Sequence, residues 1–312
     1  MKSLSFPVFL ILILISLPVL VKEGGDQYPN GAENWYAGSI PTAGLYYINY
    51  LGYYTGTLKD GTGGKAMFDG ETPAVNASFD ALRLAYITHF KLLGANYGMH
   101  AIVPVVYQSL DMGGRESDTN VGDTTVNPVI LGWHRESWNF VTGIDIFLPT
   151  GYYKKDDARV SIGANYFGFD PLLAISYISN SGWELSGKFM YNLKTTNGAT
   201  QYHSGQEFHT DFAAGKHVGK WMLGATGYAL KQTTDDTISG RAVAAATGLW
   251  DAGRRGQVLA VGPSIGYIDR LGDVLMLDWQ HELLIRNRFG GDKLWFKGII
   301  PLDALFENVS SR

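Results

Sequence analysis

The chain has 312 residues, 46% hydrophobic and 17% charged, with a formal charge of -4 and no cysteine. The slightly acidic balance excludes the basic footprint of a nucleic-acid binder. The missing thiols exclude disulfides, thiolate metal sites, cysteine catalysis and a lipid anchor on cysteine. A charged fraction below the ~25% usual for soluble domains, together with 39 Gly, 18 Tyr, 15 Phe and 8 Trp, suits many strands joined by turns.

In chain order, residues 1–22 read as an export signal. Met1-Lys2 gives a positive start and Val8 to Val21 an apolar run, short for a spanning helix of about 20 residues. No small-residue pattern marks a cleavage point. Residues 23–42 are expected to be a periplasmic N-terminal segment, 43–302 the barrel described next, and 303–312 a C-terminal tail.

From residue 43 onward no helical period persists. Segments of roughly ten residues alternate large apolar with small or polar side chains, the signature of membrane strands. Twelve strands are predicted, near 43–58, 77–92, 96–110, 127–135, 138–148, 167–179, 183–195, 206–218, 221–234, 256–268, 273–287 and 292–302. Their connections alternate between long (59–76, 111–126, 149–166, 196–205, 233–255) and short (93–95, 136–137, 180–182, 219–220, 269–272). Short periplasmic turns and long outer loops produce that alternation in an up-and-down barrel with both ends periplasmic. The last outer connection, 287–291, is the one short loop on its side. An open sheet edge in lipid would leave backbone groups without partners, so the sheet must close. The expected fold is all-β: a closed antiparallel transmembrane β-barrel of about twelve strands in a bacterial outer membrane.

Parity assigns the faces. Along 183–193, Trp183, Leu185, Phe189 and Leu193 share one side, while Glu184 and Lys188 take the other. Along 275–286, Leu275, Leu277 and Trp279 oppose Asp278, Gln280, Glu282, Leu284 and Arg286. A lipid-facing Lys or Arg near the midplane costs about 2–4 kcal/mol, so the charged side faces the lumen. The lumen-lining candidates are Arg83 and His89 on the second strand, Asp145 on the fifth, and Glu184 and Lys188 on the seventh. Glu207, His209 and Asp211 come from the eighth, Asp278, Gln280, Glu282 and Arg286 from the eleventh, and Lys297 from the last. Trp138, Trp183 and Trp221, near strand ends, fit interfacial girdles. Whether the inward charges fill a plug or line an electrostatic constriction is open from sequence.

Catalytic and metal chemistry find little support. Glu207, His209 and Asp211 share a strand face, but a metal site needs convergent ligands from other strands. Ser204 and His203 are adjacent on an extended chain and point opposite ways, and no G-x-S-x-G is present. Asp60-Gly-Thr-Gly-Gly-Lys65 lacks the first glycine of a phosphate loop and reads as an outer loop. No enzyme activity, metal or cofactor is expected.

Several segments carry a family resemblance: Tyr28-Pro-Asn-Gly-Ala-Glu-Asn34, Pro41 to Tyr50, Tyr191 to Asn197, and Tyr202-His-Ser-Gly-Gln-Glu-Phe-His209. Gly227-Tyr228, Gln280-His-Glu282 and Gly291 to Lys297 add to it. Over about residues 28 to 302 the chain resembles the outer-membrane family named for the MetA pathway of phenol degradation. The resemblance implies an outer-membrane barrel serving as a channel for uptake of small hydrophobic or aromatic compounds. The alternative is a non-transporting barrel that organises the envelope or binds a partner. Outer-membrane lipid, the outer-membrane assembly machinery and small hydrophobic or aromatic solutes are the expected partners, with no nucleic acid.

Overall fold

The computed structural model describes residues 26–155 and 161–302. The expected signal (1–22) and tail (303–312) lie outside the described residues. The strands are β1 (Gly44–Lys59), β2 (Ala74–Leu92), β3 (Ala95–Asp111), β4 (Arg115–Val121), β5 (Thr124–Arg135), β6 (Trp138–Leu148), β7 (Gly168–Ile178) and β8 (Trp183–Lys194). They continue as β9 (Tyr202–His203), β10 (Glu207–Val218), β11 (Trp221–Gln232), β12 (Thr237–Ile238), β13 (Arg241–Ala242), β14 (Gln257–Ile268), β15 (Val274–Arg286) and β16 (Arg288–Pro301).

Twelve of these close an antiparallel ring in the order β1, β2, β3, β5, β6, β7, β8, β10, β11, β14, β15, β16. The seam is β1 against β16, where Tyr50 pairs with Lys297 and Lys59 with Arg288. Every barrel strand therefore has two neighbours, as a sheet in hydrocarbon requires. The short turns are tight: Leu93 and Gly94 connect β2 to β3, both at positive φ (53° and 75°), the combination a two-residue hairpin of matching twist demands.

The additions lie on the outer side. β4 folds back on the upper part of β3, with Val121 opposite Val105, and continues into β5 through a kink at Gly122-Asp123. Its sequence, RESDTNV, has no apolar face. Asp123 fixes the kink by accepting the Gly151 and Ala164 N–H groups, each at 2.9 Å, and burial holds its carboxyl above the usual carboxylate range. The small sheet β9–β12–β13 sits in the outer loops. β16 starts at Arg288, four residues earlier than predicted, so Asn287 alone, at φ 52°, turns the last outer corner.

The outward face is an apolar belt. Leu82, Leu84 and Tyr86 on β2, Leu185 and Phe189 on β8, and Leu275, Leu277 and Trp279 on β15 are all exposed. A soluble protein does not expose such a continuous surface; lipid covers it. Trp138, Trp183 and Trp221 stand outward beside the short turns, with Lys216 and Lys220 reaching over the Trp183 and Tyr267 rings, as side chains at a membrane interface do.

Candidate functional site: the lumen

Residues 26–43 run through the barrel interior, from Asp26 beside Arg288 at the outer end to Thr42 beside Tyr46 at the start of β1. The segment expected to stand in the periplasm is thus, over its described part, inside the barrel. Its sequence, rich in Gly, Asn and Pro with two prolines, forms no helix or strand, so its backbone groups need partners elsewhere. The inward face of the wall supplies them.

Asp211 accepts the Gly31 N–H (2.7 Å), the Glu33 N–H (3.1 Å) and the Tyr28 hydroxyl (2.8 Å). Glu184 accepts the Tyr36 N–H at 2.6 Å, and Ser176 Oγ the Gly38 N–H at 2.8 Å. From the other side, Lys293 donates to the Asn30 carbonyl (2.9 Å), Gln280 to the Gly31 carbonyl (3.1 Å) and Lys297 to the Ala32 carbonyl (3.1 Å). Lys297 also pairs with Asp278 at 2.5 Å, and Asp278 accepts the Asn34 amide at 3.2 Å. The Trp35 ring lies over the facing glycines Gly215 and Gly224, where a Cβ would meet it at 2.5 and 3.0 Å, and its indole N–H donates to Ser264 at 2.8 Å.

Halfway down, Glu33 ties the segment to both sides of the barrel. Its carboxylate meets Arg83 of β2, Lys188 of β8 at 2.5 Å and the Tyr50 hydroxyl at 3.0 Å. Arg83 contacts His100 Nδ1 at 2.9 Å, His100 Nε2 lies 3.2 Å from Asp145, and Asp145 lies 3.5 Å from Lys188. This arrangement suits a neutral His100 protonated on Nε2. The charged groups form one band across the lumen.

Above and below the band lie two cavities with mostly apolar walls. The outer cavity, about 350 Å³, is walled by Val75, Ala77, Phe79, Ala81, Ile102 and Val106, with Tyr28 and Pro29 of the segment opposite. The periplasmic cavity, about 340 Å³, is walled by Ala85, Ile87, Ile130, Val141 and Leu172. Ala32, Glu33 and Tyr50 border both. The space follows from sequence: the inward positions of β2 read Ala77, Phe79, Ala81, Arg83, Ala85, Ile87, and alanines leave room. The segment meanwhile leans on the polar wall of β8 to β16.

Ten of the thirteen sequence candidates are buried inside: Asp145, Glu184, Lys188, Glu207, His209, Asp211, Asp278, Gln280, Glu282 and Lys297. Arg83 is inside and partly buried. Glu207, His209 and Asp211 diverge to separate partners, namely Lys194 (2.6 Å), Asp170 (3.1 Å) and Tyr28.

His89 and Arg286 are exposed and do not line the lumen. Both lie where the register slips. β2 carries two extra residues between Ile87 and Lys91, relative to Gly98 and Asn96 of β3, and β15 carries one between Leu283 and Arg286. In β15 the single extra residue reverses the parity beyond it, whereas His89 falls among the unpaired residues of the β2 insertion itself.

Lys293, His100 and Glu33 were missed. Lys293 and His100 share parity with neighbouring inward residues and were readable on that basis. Glu33 lies in a segment without periodicity; it falls within the Tyr28–Asn34 stretch that carries the family resemblance, but parity gives it no inward assignment.

A family model described as "Putative MetA-pathway of phenol degradation" matches residues 55–298. No curated protein sequence matches. Among solved structures, an outer membrane channel from Pseudomonas putida F1 superposes with a TM-score of 0.69 at 14% identity, covering 84% of this chain and 96% of that one. The translocator domain of the autotransporter NalP from Neisseria meningitidis gives 0.47 at 10% identity, covering 84% and 90%. The first likeness is one of fold, and the second is too weak to bear on function. The closed twelve-strand barrel with its lipid-facing belt belongs in the bacterial outer membrane.

Proposed function

The chain belongs to the family described as "Putative MetA-pathway of phenol degradation", and from that premise we propose that it carries small hydrophobic or aromatic solutes across the outer membrane. The observation that supports this most is the pair of mostly apolar cavities stacked along the lumen, one on each side of the charged band. A channel for sugars or ions would line its path with polar groups throughout. Here many of the polar groups hold the N-terminal segment, and the cavity walls left over are mostly aliphatic and aromatic, with Gln108, Thr125 and Arg254 also bordering the outer cavity. Trp295 borders the outer cavity and adds an aromatic side chain to its wall.

Passage requires the segment to shift, because Glu33 closes the band between the cavities. A second reading, a closed barrel with an organising or partner-binding role, is favoured by the many hydrogen bonds that hold the segment to the wall. Flux into liposomes separates them. Phenol should enter barrel-containing liposomes faster than protein-free ones, and a sugar of similar size should not. No enhancement for phenolic solutes would remove the transport reading.

A further inference from the structure

The bulge that turns Arg286 out of the lumen assembles a surface on the lipid side. Between Gln257 and Leu259 of β14, the facing β15 advances from Arg286 to Leu283, three residues against two. Within it Leu284 sits at φ 51°, a left-handed conformation that a leucine adopts only at a cost. The result is two leucines facing outward in succession, Leu283 at 42% and Leu284 at 70% exposure, next to an outward Arg286. Without the bulge Leu284 and Arg286 would share the inward parity of Glu282.

Arg286 ends a row of outward residues across five strands at their outer ends: Tyr191, Phe208, Lys231, Gln257, Arg286, each paired with the next. The row is aromatic at one end and cationic at the other. Lys231 and Arg286 are exposed, and neither has a carboxylate within salt-bridge distance among the described residues. The outward carboxylates Asp235 and Asp292 are held by Arg255 (2.6 Å) and His281 (2.9 Å). Gln257 between them is tied to the Leu284 carbonyl at 3.1 Å, so it braces the bulge. One intervening strand places the Lys231 and Arg286 backbones about 10 Å apart. Cations at the outer end of an apolar belt, spaced in this way, match a bisphosphorylated lipid headgroup above acyl chains.

We propose that Lys231 and Arg286 bind the two phosphates of lipid A, the phosphorylated glycolipid of the outer leaflet, with its acyl chains lying over Leu283, Leu284 and Phe208. The site stands on the membrane face and holds whether or not the lumen passes solutes. Native mass spectrometry of the full-length barrel in detergent, titrated with bisphosphorylated lipid A, monophosphorylated lipid A and phosphatidylglycerol, tests it. The wild type should bind bisphosphorylated lipid A best. K231A/R286A should bind it about thirtyfold more weakly, at about one cation's contribution each, while K65A/R115A, which alters exposed cations elsewhere, should bind as wild type. Both double variants change exposed side chains only, and heat-dependent gel mobility confirms that each is folded. Equal affinity of K231A/R286A and wild type, or equal binding of phosphatidylglycerol and bisphosphorylated lipid A, overturns the proposal.

Discussion

Glu33→Gln is expected to open the barrel. Among the described residues, the Glu33 carboxylate is the one that pairs with both Arg83 and Lys188. Glutamine keeps the size and removes the charge, leaving two enclosed cations of which Lys188 still has Asp145 at 3.5 Å. Removing one partner of a buried ion pair costs about 3–5 kcal/mol, mostly through the charge left behind. The segment is held by bonds elsewhere, so the strain is relieved by displacing residues around Glu33 and letting water reach Arg83 and Lys188. If 3 kcal/mol of that cost is expressed as a shift between seated and displaced segment, the open fraction rises about a hundredfold. Single-channel recording in planar bilayers reads this directly: long open events in the variant against rare ones in the wild type. Identical open probability in the two would mean that Glu33 does not hold the segment.

Asp211→Ala is expected to loosen the same segment from its outer half and to lower the stability of the barrel. Asp211 is fully buried and accepts three hydrogen bonds from the segment: two backbone N–H groups and the Tyr28 hydroxyl. Each donor left without a partner costs about 1–3 kcal/mol, reduced where water can replace the carboxylate. The Asp211 partners Tyr28 and Glu33 border the outer cavity, from which water can reach part of the vacated site, so a net loss of about 3 kcal/mol is expected, equivalent to about 6–12 °C in the midpoint of unfolding. The temperature at which the compact band converts to the slow one on a denaturing gel measures it. Asp211→Asn, which keeps one acceptor, should fall between. An unchanged midpoint for Asp211→Ala would show that its bonds to the segment contribute nothing net.

Much of the barrel was legible because membrane strands obey two strict rules. Inward and outward residues alternate, and in lipid a misplaced charge is costly. Glu184, Lys188, Asp278 and Glu282, which parity puts on the inward side, are buried in the structure. The alternating long and short connections pointed to the up-and-down strand order, and the cost of an open edge in lipid to closure. Parity failed where the count was interrupted, at His89 and Arg286. No glycine or proline stands at Leu284 to announce the bulge, and a one-residue insertion looks the same in sequence as a continuous strand. β4 was hidden for a different reason: it pairs above the belt, so it has no need of an apolar face and reads as a polar loop. The earlier start of β16 was missed because Arg288, Gly290 and Gly291 resemble a turn.

The N-terminal segment was the largest part of the site that could not be read. Its residues have no period, and the groups that hold it lie up to about 265 residues away in the chain, as for Lys297 and Ala32. What the sequence did contain was the other half of the match. An inward wall carrying Asp211, Asp278, Gln280, Lys293 and Lys297 has more hydrogen-bonding capacity than a water-filled apolar path needs. A wall of that kind implies an occupant, and here the occupant is the chain's own polar backbone.

The occupied lumen can be tested with a thiol, since the protein has no cysteine of its own. Ala32 is buried at the meeting of the two cavities, and Lys65 is exposed on an outer loop. With the barrel reconstituted in liposomes and a membrane-impermeant maleimide present on both sides, Ala32→Cys should resist labelling while Lys65→Cys reacts at once. Adding Glu33→Gln to Ala32→Cys should make it reactive. Labelling of Ala32→Cys alone, as fast as Lys65→Cys, would contradict a lumen filled by its own N-terminal segment.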